Sequence, residues 1–312
     1  MAIIECVESG NTKILKKDLF SRMLSTSWYT VNYFNVSFGF QDLIHRSVKD
    51  ITVIENLKID ESKSEVFEKI KNSSNIATNI LLNHFDKNVP HWFLSPWYPS
   101  KNRKEIYDLS LSNINNPIYF LSKEFIEVNP SWIDYLTLNS RIIKNFILWN
   151  LSLFLQIRNP NVPDIPNKLI KPATRNSLTK QRKFWENIFN EFGSIECIYT
   201  GEKLSKNNFH VEHFVPYSFV SHDQIWNLVP VDPKFNMSKS NKLPILDTHF
   251  EPFYNLQNLA LKFYLEMKPR EVLLQEYFYI DSNFKKGISK EKYLSVINPL
   301  VTIANNNGFQ FM

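Results

Sequence analysis

The sequence predicts an α+β protein, mostly helical, with a compact strand–strand–helix unit toward the C-terminus. Three observations lead there. Several stretches repeat apolar residues at helical spacing, as in Val66, Phe67 and Ile70 followed by Ile76, Ile80 and Leu81. Two short apolar runs, Phe209–Val211 and Trp226–Val231, read as strands, and Pro233 then opens a short helix, proline being preset for the first helical position. Between these regions, Asn159-Pro-Asn-Val-Pro-Asp-Ile-Pro166 spaces its prolines three residues apart and cannot continue a helix. The chain therefore divides into a largely helical N-terminal domain (1–164), a basic segment with the strand–strand–helix unit (165–250), and a C-terminal helical segment packing on that unit (251–312).

In chain order, residues 1–60 mix short strand-like runs with a helix near Lys16–Leu24. The aromatic and β-branched stretch Ser27–Phe40 favours strand or irregular structure. One helix is expected from Ser64 to Phe85, with Asp60, Glu61 and Glu65 near the positive end of its dipole. The segment His91–Ser100, aromatics packed between prolines, reads as a rigid loop plugging the core in preference to a base-stacking surface. Ser131 suits the N-cap of one long helix ending near Arg158. The most apolar part of that helix, Ile142–Ile157, is interrupted by Lys144, Asn145, Asn150 and Gln156, so it reads as a buried helix and not a membrane span. A helix over Leu178–Phe192 ends at Gly193. Beyond Pro244, helices are expected over Phe253–Met267, Arg270–Tyr279 and Ser289–Ala304, with Phe278, Tyr279 and Ile280 in the core.

Composition limits the function. Hydrophobic residues at 43% and aromatics at 14% describe an ordered chain, and 312 residues bury a sizeable core. The net charge of +5 is a modest basic excess compatible with a polyanionic partner. Between Ile165 and Trp185 there are six Lys or Arg residues, Lys180, Arg182 and Lys183 among them, and no acid. That run suits contact with a nucleic-acid backbone. With six glycines and no Gly-rich phosphate loop, nucleotide-binding folds of that kind are disfavoured. Cys6 and Cys197 give no disulfide framework, and Met1–Val7, followed by Glu8, lacks the basic start and long apolar core of a signal peptide. A cytoplasmic protein without a membrane partner is expected.

Four of the seven histidines fall between His210 and His249, where Glu212-His213, Asn227 and Asn236 stand among apolar and turn residues. Breaking a phosphodiester needs an activated water, neutralised phosphate charge and a stabilised leaving oxygen. A histidine near neutral pKa is the natural base for the water, and His213 fills that role. Glu212 and Asn236 supply the oxygens of a hard site suited to a single Mg²⁺ or Mn²⁺. Lys239 and Lys242, on the following helix, suit phosphate neutralisation. His210 lies three residues before His213, on the opposite strand face, and reads as structural or as a phosphate contact. His222 reads as a loop or helix-start residue. His210-Val-Glu212 matches half of a zinc deaminase signature, but the required Pro-Cys-x-x-Cys segment is missing, and no H-E-x-x-H occurs.

The Glu-His-Phe-Val-Pro-Tyr-Ser-Phe block, the Asn227-Leu-Val-Pro-Val strand and Asn236-Met-Ser-Lys-Ser-Asn-Lys-Leu-Pro together resemble the HNH (ββα-metal, His-Me finger) endonucleases. The likeness is to the zinc-free domains of RNA-guided CRISPR nucleases and of stand-alone bacterial HNH proteins, over about fifty residues of 312. It implies His213 as general base, Asn227 orienting that base, and Glu212 with Asn236 at the metal. Two positions depart from the common pattern: Glu212 stands where Asp is usual, and Asn236 where His is frequent. Lacking paired Cys-x-x-Cys motifs, the chain has no structural zinc of the family's kind. The resemblance implies DNA as substrate and a place in restriction or phage defence. An RNA-cleaving nuclease and an idle nucleic-acid-binding scaffold are the alternatives. One such site cuts one strand, so double-strand cleavage requires a homodimer or two nicks; an activating protein partner is left open.

Overall fold

The computed structural model describes residues 1–39, 42–170 and 177–312. The protein is α+β and mostly helical, with small antiparallel sheets. Its chain forms two compact units, Met1–Pro160 with Ile165–Ile170, and Asn161–Asp164 with Lys171–Met312. Among the described residues no helix is long and apolar enough to cross a membrane.

The first unit carries nine helices among its described residues: α1 (Ala2–Glu8), α2 (Lys16–Asn32), α3 (Leu43–Ile54), α4 (Lys63–Lys71), α5 (Ile76–Asp86), α6 (Val89–Phe93), α7 (Arg103–Leu111), α8 (Pro130–Leu138) and α9 (Ser140–Arg158). A three-stranded antiparallel sheet, in the order β1 (Lys13–Leu15), β3 (Phe125–Val128), β2 (Tyr119–Leu121), completes it. Four expectations need correction here. The aromatic run after Ser27 continues α2 to Asn32, because Leu24, Trp28 and Val31 recur at helical spacing and are all fully buried. The helix expected over 64–85 is two helices: α4 starts at a Ser62–Glu65 capping box, and Asn75 caps α5 afresh. The helix expected to start at Ser131 is capped by Asn129, with Pro130 at its first position, and it breaks at Asn139 into α8 and α9. Finally, α9 is not buried: Ile142, Phe146, Trp149 and Ile157 are 61–78% exposed.

The stretch His91–Ser100 begins in the one-turn helix α6 and buries Leu94 and Tyr98, while Trp92 and Phe93 face solvent. It fills core with some of its aromatics and presents the others.

In the second unit, helix α10 (Thr179–Phe192) ends at Gly193, whose φ of 75° is the left-handed conformation glycine adopts without strain. A two-residue hairpin follows, β4 (Ile195–Glu196) with β5 (Lys203–Leu204). Then come β6 (His210–His213), the short helix α11 (Tyr217–Val220), a 3₁₀ turn at Ile225–Asn227, β7 (Leu228–Val231) and helix α12 (Pro233–Lys239). Strands β6 and β7 pair antiparallel with His210 opposite Val231 and His213 opposite Leu228. Long helices α13 (Leu246–Met267) and α14 (Lys290–Asn306) back this arrangement. From α13 the buried Gln257 amide donates to the Ile225 and Leu228 carbonyls (3.1 and 2.8 Å), and from α14 Tyr293 donates to the Trp226 carbonyl. These bonds tie the carbonyls of the turn that feeds β7 to the two helices behind it. Between α13 and α14, Val272–Tyr279 is a 3₁₀ helix and not an α-helix; Ile280 is buried, but Phe278 and Tyr279 are exposed, contrary to the core assignment.

Candidate active site

The site is assembled on β6, β7 and α12. All of β7 is buried, so Leu228, Val229 and Val231 anchor the hairpin to the core and leave β6 as the outer strand. Asp232 caps α12, its carboxylate accepting the Phe235 N–H at 2.8 Å, and Pro233 sits at the first helical position. Tyr199 stacks between Phe235 and Phe214 (ring centroids 4.8 and 6.4 Å), joining α12 to the loop after β6. Burial pushes the Tyr199 phenol well above its usual range, with the Glu212 charge adding to the effect.

Side chains alternate along β6. His210 and Glu212 share the face on which α12 packs: Asn236 Nδ2 lies 3.2 Å from His210 Nδ1, and Lys239 Nζ lies 3.2 Å from Glu212 Oε1. Glu212 and Asn236 thus lie on one surface with His210, whereas His213, the imidazole the sequence set with them, faces the other side of β6. His210 joins that group, whereas sequence alone left its role between structure and phosphate.

Lys239 differs from expectation. Its side chain is fully buried, donating to Glu212 and, at 2.8 Å, to the His213 carbonyl. Burial lowers its pKa and the adjacent Glu212 opposes that shift. Its charge is spent inside the protein, tying the end of β6 to α12, so it is not displayed for phosphate. Lys242, just past the helix, is exposed, as are Lys180 and Lys183 on α10. Arg182 is partly buried and engaged: it pairs with Glu186 (3.2 Å), donates to the Phe209 carbonyl (2.9 Å) and lies over the Phe209 ring. Of the basic run, Lys168 is buried, and Lys171 and Arg175 lie outside the described residues.

His213 closes β6 on the other face and is 2% exposed. Its Nε2 lies 3.1 Å from the His222 carbonyl and 3.0 Å from Asp223 Oδ1. A carbonyl can only accept, so Nε2 carries the proton and the lone pair is on Nδ1. Gln181, reaching from α10, donates to the Asp223 carbonyl at 3.0 Å and fixes the loop that supplies these acceptors. Asn227, fully buried, clamps the residues after His213. The Val215 N–H donates to its Oδ1 (2.9 Å), its Nδ2 donates to the Val215 carbonyl (2.8 Å), and the Phe214 N–H donates to its backbone carbonyl (2.8 Å).

Asp223 was missed in the sequence. The letters Ser-His-Asp-Gln read as a loop, and only an acid ten residues after the histidine, before the second strand, hinted at it. Counting His, Cys, Asp and Glu alone, no group of three able to hold a metal gathers among the described residues. The cluster on β6 and α12 contains two such residues and completes itself with the Asn236 carboxamide. One carboxylate, one carboxamide and one imidazole, open to water, fit a divalent cation of mixed oxygen and nitrogen preference.

Comparison with curated proteins and with solved structures returned no match. Residues 197–245 match the family model described as HNH endonuclease, a stretch running from the hairpin before β6 to the end of the loop after α12. The C-terminal half of the chain therefore carries a segment that matches HNH endonucleases, which supports a nuclease of that type.

Proposed function

We propose that the protein hydrolyses phosphodiester bonds of DNA, with His213 as general base and a single Mg²⁺ or Mn²⁺ held by Glu212 and Asn236. The carrying observation is a histidine at the end of β6 whose Nε2 is locked by acceptors, on a strand whose other face sets Glu212 and His210 against α12 and its Asn236. With its proton on Nε2, His213 offers Nδ1 to take a proton from water, and Asp223 stabilises the imidazolium that results. Asn227 holds Phe214 and Val215, and through them the ring's position at the strand end. Lys239 fixes one oxygen of Glu212, which orients the carboxylate toward α12. A cation bound there supplies positive charge against the phosphate and the leaving oxygen. Lys242, Lys180 and Lys183 supply exposed positive charge for the nucleic-acid backbone. The N-terminal unit is assigned to substrate recognition or partner docking, and restriction or antiviral defence in the cytoplasm is the setting we infer.

The test is a panel of labelled duplex DNA, single-stranded DNA and RNA, incubated with Mg²⁺, Mn²⁺ or EDTA. Cleavage of duplex DNA that EDTA abolishes is expected. Cleavage confined to RNA would overturn the substrate assignment while leaving the site in place.

A further inference from the structure

We infer that His210 is a third protein ligand of the metal, giving a mixed nitrogen–oxygen site that prefers Mn²⁺ over Mg²⁺; this rests on the site proposed above. Four observations carry it. On β6 the side chain of His210 falls on the same face as Glu212, two residues on, and away from His213. It is solvent-exposed, so no packing role accounts for its position. Asn236 Nδ2 sits 3.2 Å from His210 Nδ1, and because an amide nitrogen only donates, Nδ1 must be the unprotonated, lone-pair-bearing nitrogen. A cation would displace that N–H contact: turning the Asn236 amide about its Cβ–Cγ bond puts Oδ1 where Nδ2 stands, so that the carboxamide oxygen and the Nδ1 lone pair face one point. Finally, Glu212 has one oxygen held by Lys239, so its carboxylate is only partly committed and a further donor is of use to a cation there.

The chemical consequence follows from ligand type. Carboxylate, carboxamide and water suit Mg²⁺, which demands hard oxygen donors and an octahedral shell at short distance. An imidazole nitrogen is a softer donor that first-row transition ions take more readily than Mg²⁺ does; Mn²⁺, the weakest binder of that row, is the one that also keeps the oxygen ligands of this site.

The decisive readout is spectroscopic. Mn²⁺ is bound to the full-length protein, and pulsed electron paramagnetic resonance measures the ¹⁴N modulation of a directly ligated imidazole. Wild type should show that modulation. His210→Asp, which substitutes an oxygen ligand, should keep Mn²⁺ bound without it, and should lower the Mn²⁺/Mg²⁺ affinity ratio from calorimetry by at least about tenfold. His222→Gln should leave the modulation unchanged. Bound Mn²⁺ that lacks ¹⁴N modulation, or modulation that survives His210→Asp, overturns the ligand assignment and leaves the Glu212–Asn236 site standing. Mn²⁺ binding that is absent, or unaffected by Glu212→Gln, overturns both.

Discussion

Replacing Asn227 with alanine tests how the strand end that carries His213 is held. The side chain is fully buried and makes two hydrogen bonds to one residue, accepting from the Val215 N–H at 2.9 Å and donating to the Val215 carbonyl at 2.8 Å. Alanine removes both and leaves a donor and an acceptor buried without partners. At about 1–3 kcal/mol for each stranded group, the cost is about 2–5 kcal/mol once partial relaxation is allowed. Asn227→Asp should be at least as costly. It keeps an acceptor for the N–H but sets an oxygen against the Val215 carbonyl and buries a charge. The assay is urea unfolding followed by tryptophan fluorescence, which Trp185 and Trp226 report from within the second unit. Both variants should also lose cleavage while retaining Mn²⁺ binding, because the clamp acts on the His213 loop and not on Glu212 or Asn236. Midpoints equal to wild type, or an aspartate variant clearly milder than alanine, would refute the clamp.

Two further predictions concern charge. Lys239→Met, which roughly conserves volume, should destabilise the second unit by about 2–4 kcal/mol by stranding the His213 carbonyl and leaving Glu212 without its cation. A double-mutant cycle with Glu212→Gln should give a coupling of about 1–3 kcal/mol, and simple additivity would show that the pair does not interact. Stability should also fall as pH drops. Burial lowers the pKa of His45, with Lys49 adding to it, and burial likewise lowers His91 and His249. Each folded-state pKa lies below the unfolded one, so the unfolded chain takes up protons first as pH falls below about 6.5. The stabilisation is present above that value and lost below it. Urea midpoints at pH 7.5 and 5.5 should differ in that direction, and His45→Gln with His91→Gln should flatten the difference; a midpoint that rises at pH 5.5 would contradict the sign.

Much of the strand–strand–helix unit was legible in the sequence because local chemistry and global fold agree there. Pro233 announces α12, to which the structure adds the Asp232 cap, and the apolar run after Asn227 gives β7, with only Trp226 and Asn227 moved into the turn before it. The alternation of β6 told which side each residue faces, and it correctly separated His210 from His213. What could not be read was pairing across the chain. Whether Lys239 points to water or to Glu212 depends on how closely α12 packs on β6, and the partner of His213 depends on where an irregular loop places Asp223. The N-terminal unit was less legible for a related reason. Helical periodicity locates apolar faces but not the asparagines that interrupt them, so the breaks at Asn72–Asn75 and Asn139 were missed. Apolar spacing also presumes a partner for each face, and α9 presents Ile142, Phe146, Trp149 and Ile157 to solvent.

The central claim is that this site cuts nucleic acid through His213. Supercoiled plasmid incubated with purified protein and Mg²⁺ or Mn²⁺, beside His213→Ala and an EDTA control, tests it most directly. The account predicts metal-dependent nicking or linearisation by wild type and a loss of at least about a hundredfold in the variant, the scale of removing a general base. Cleavage by His213→Ala at the wild-type rate would contradict it.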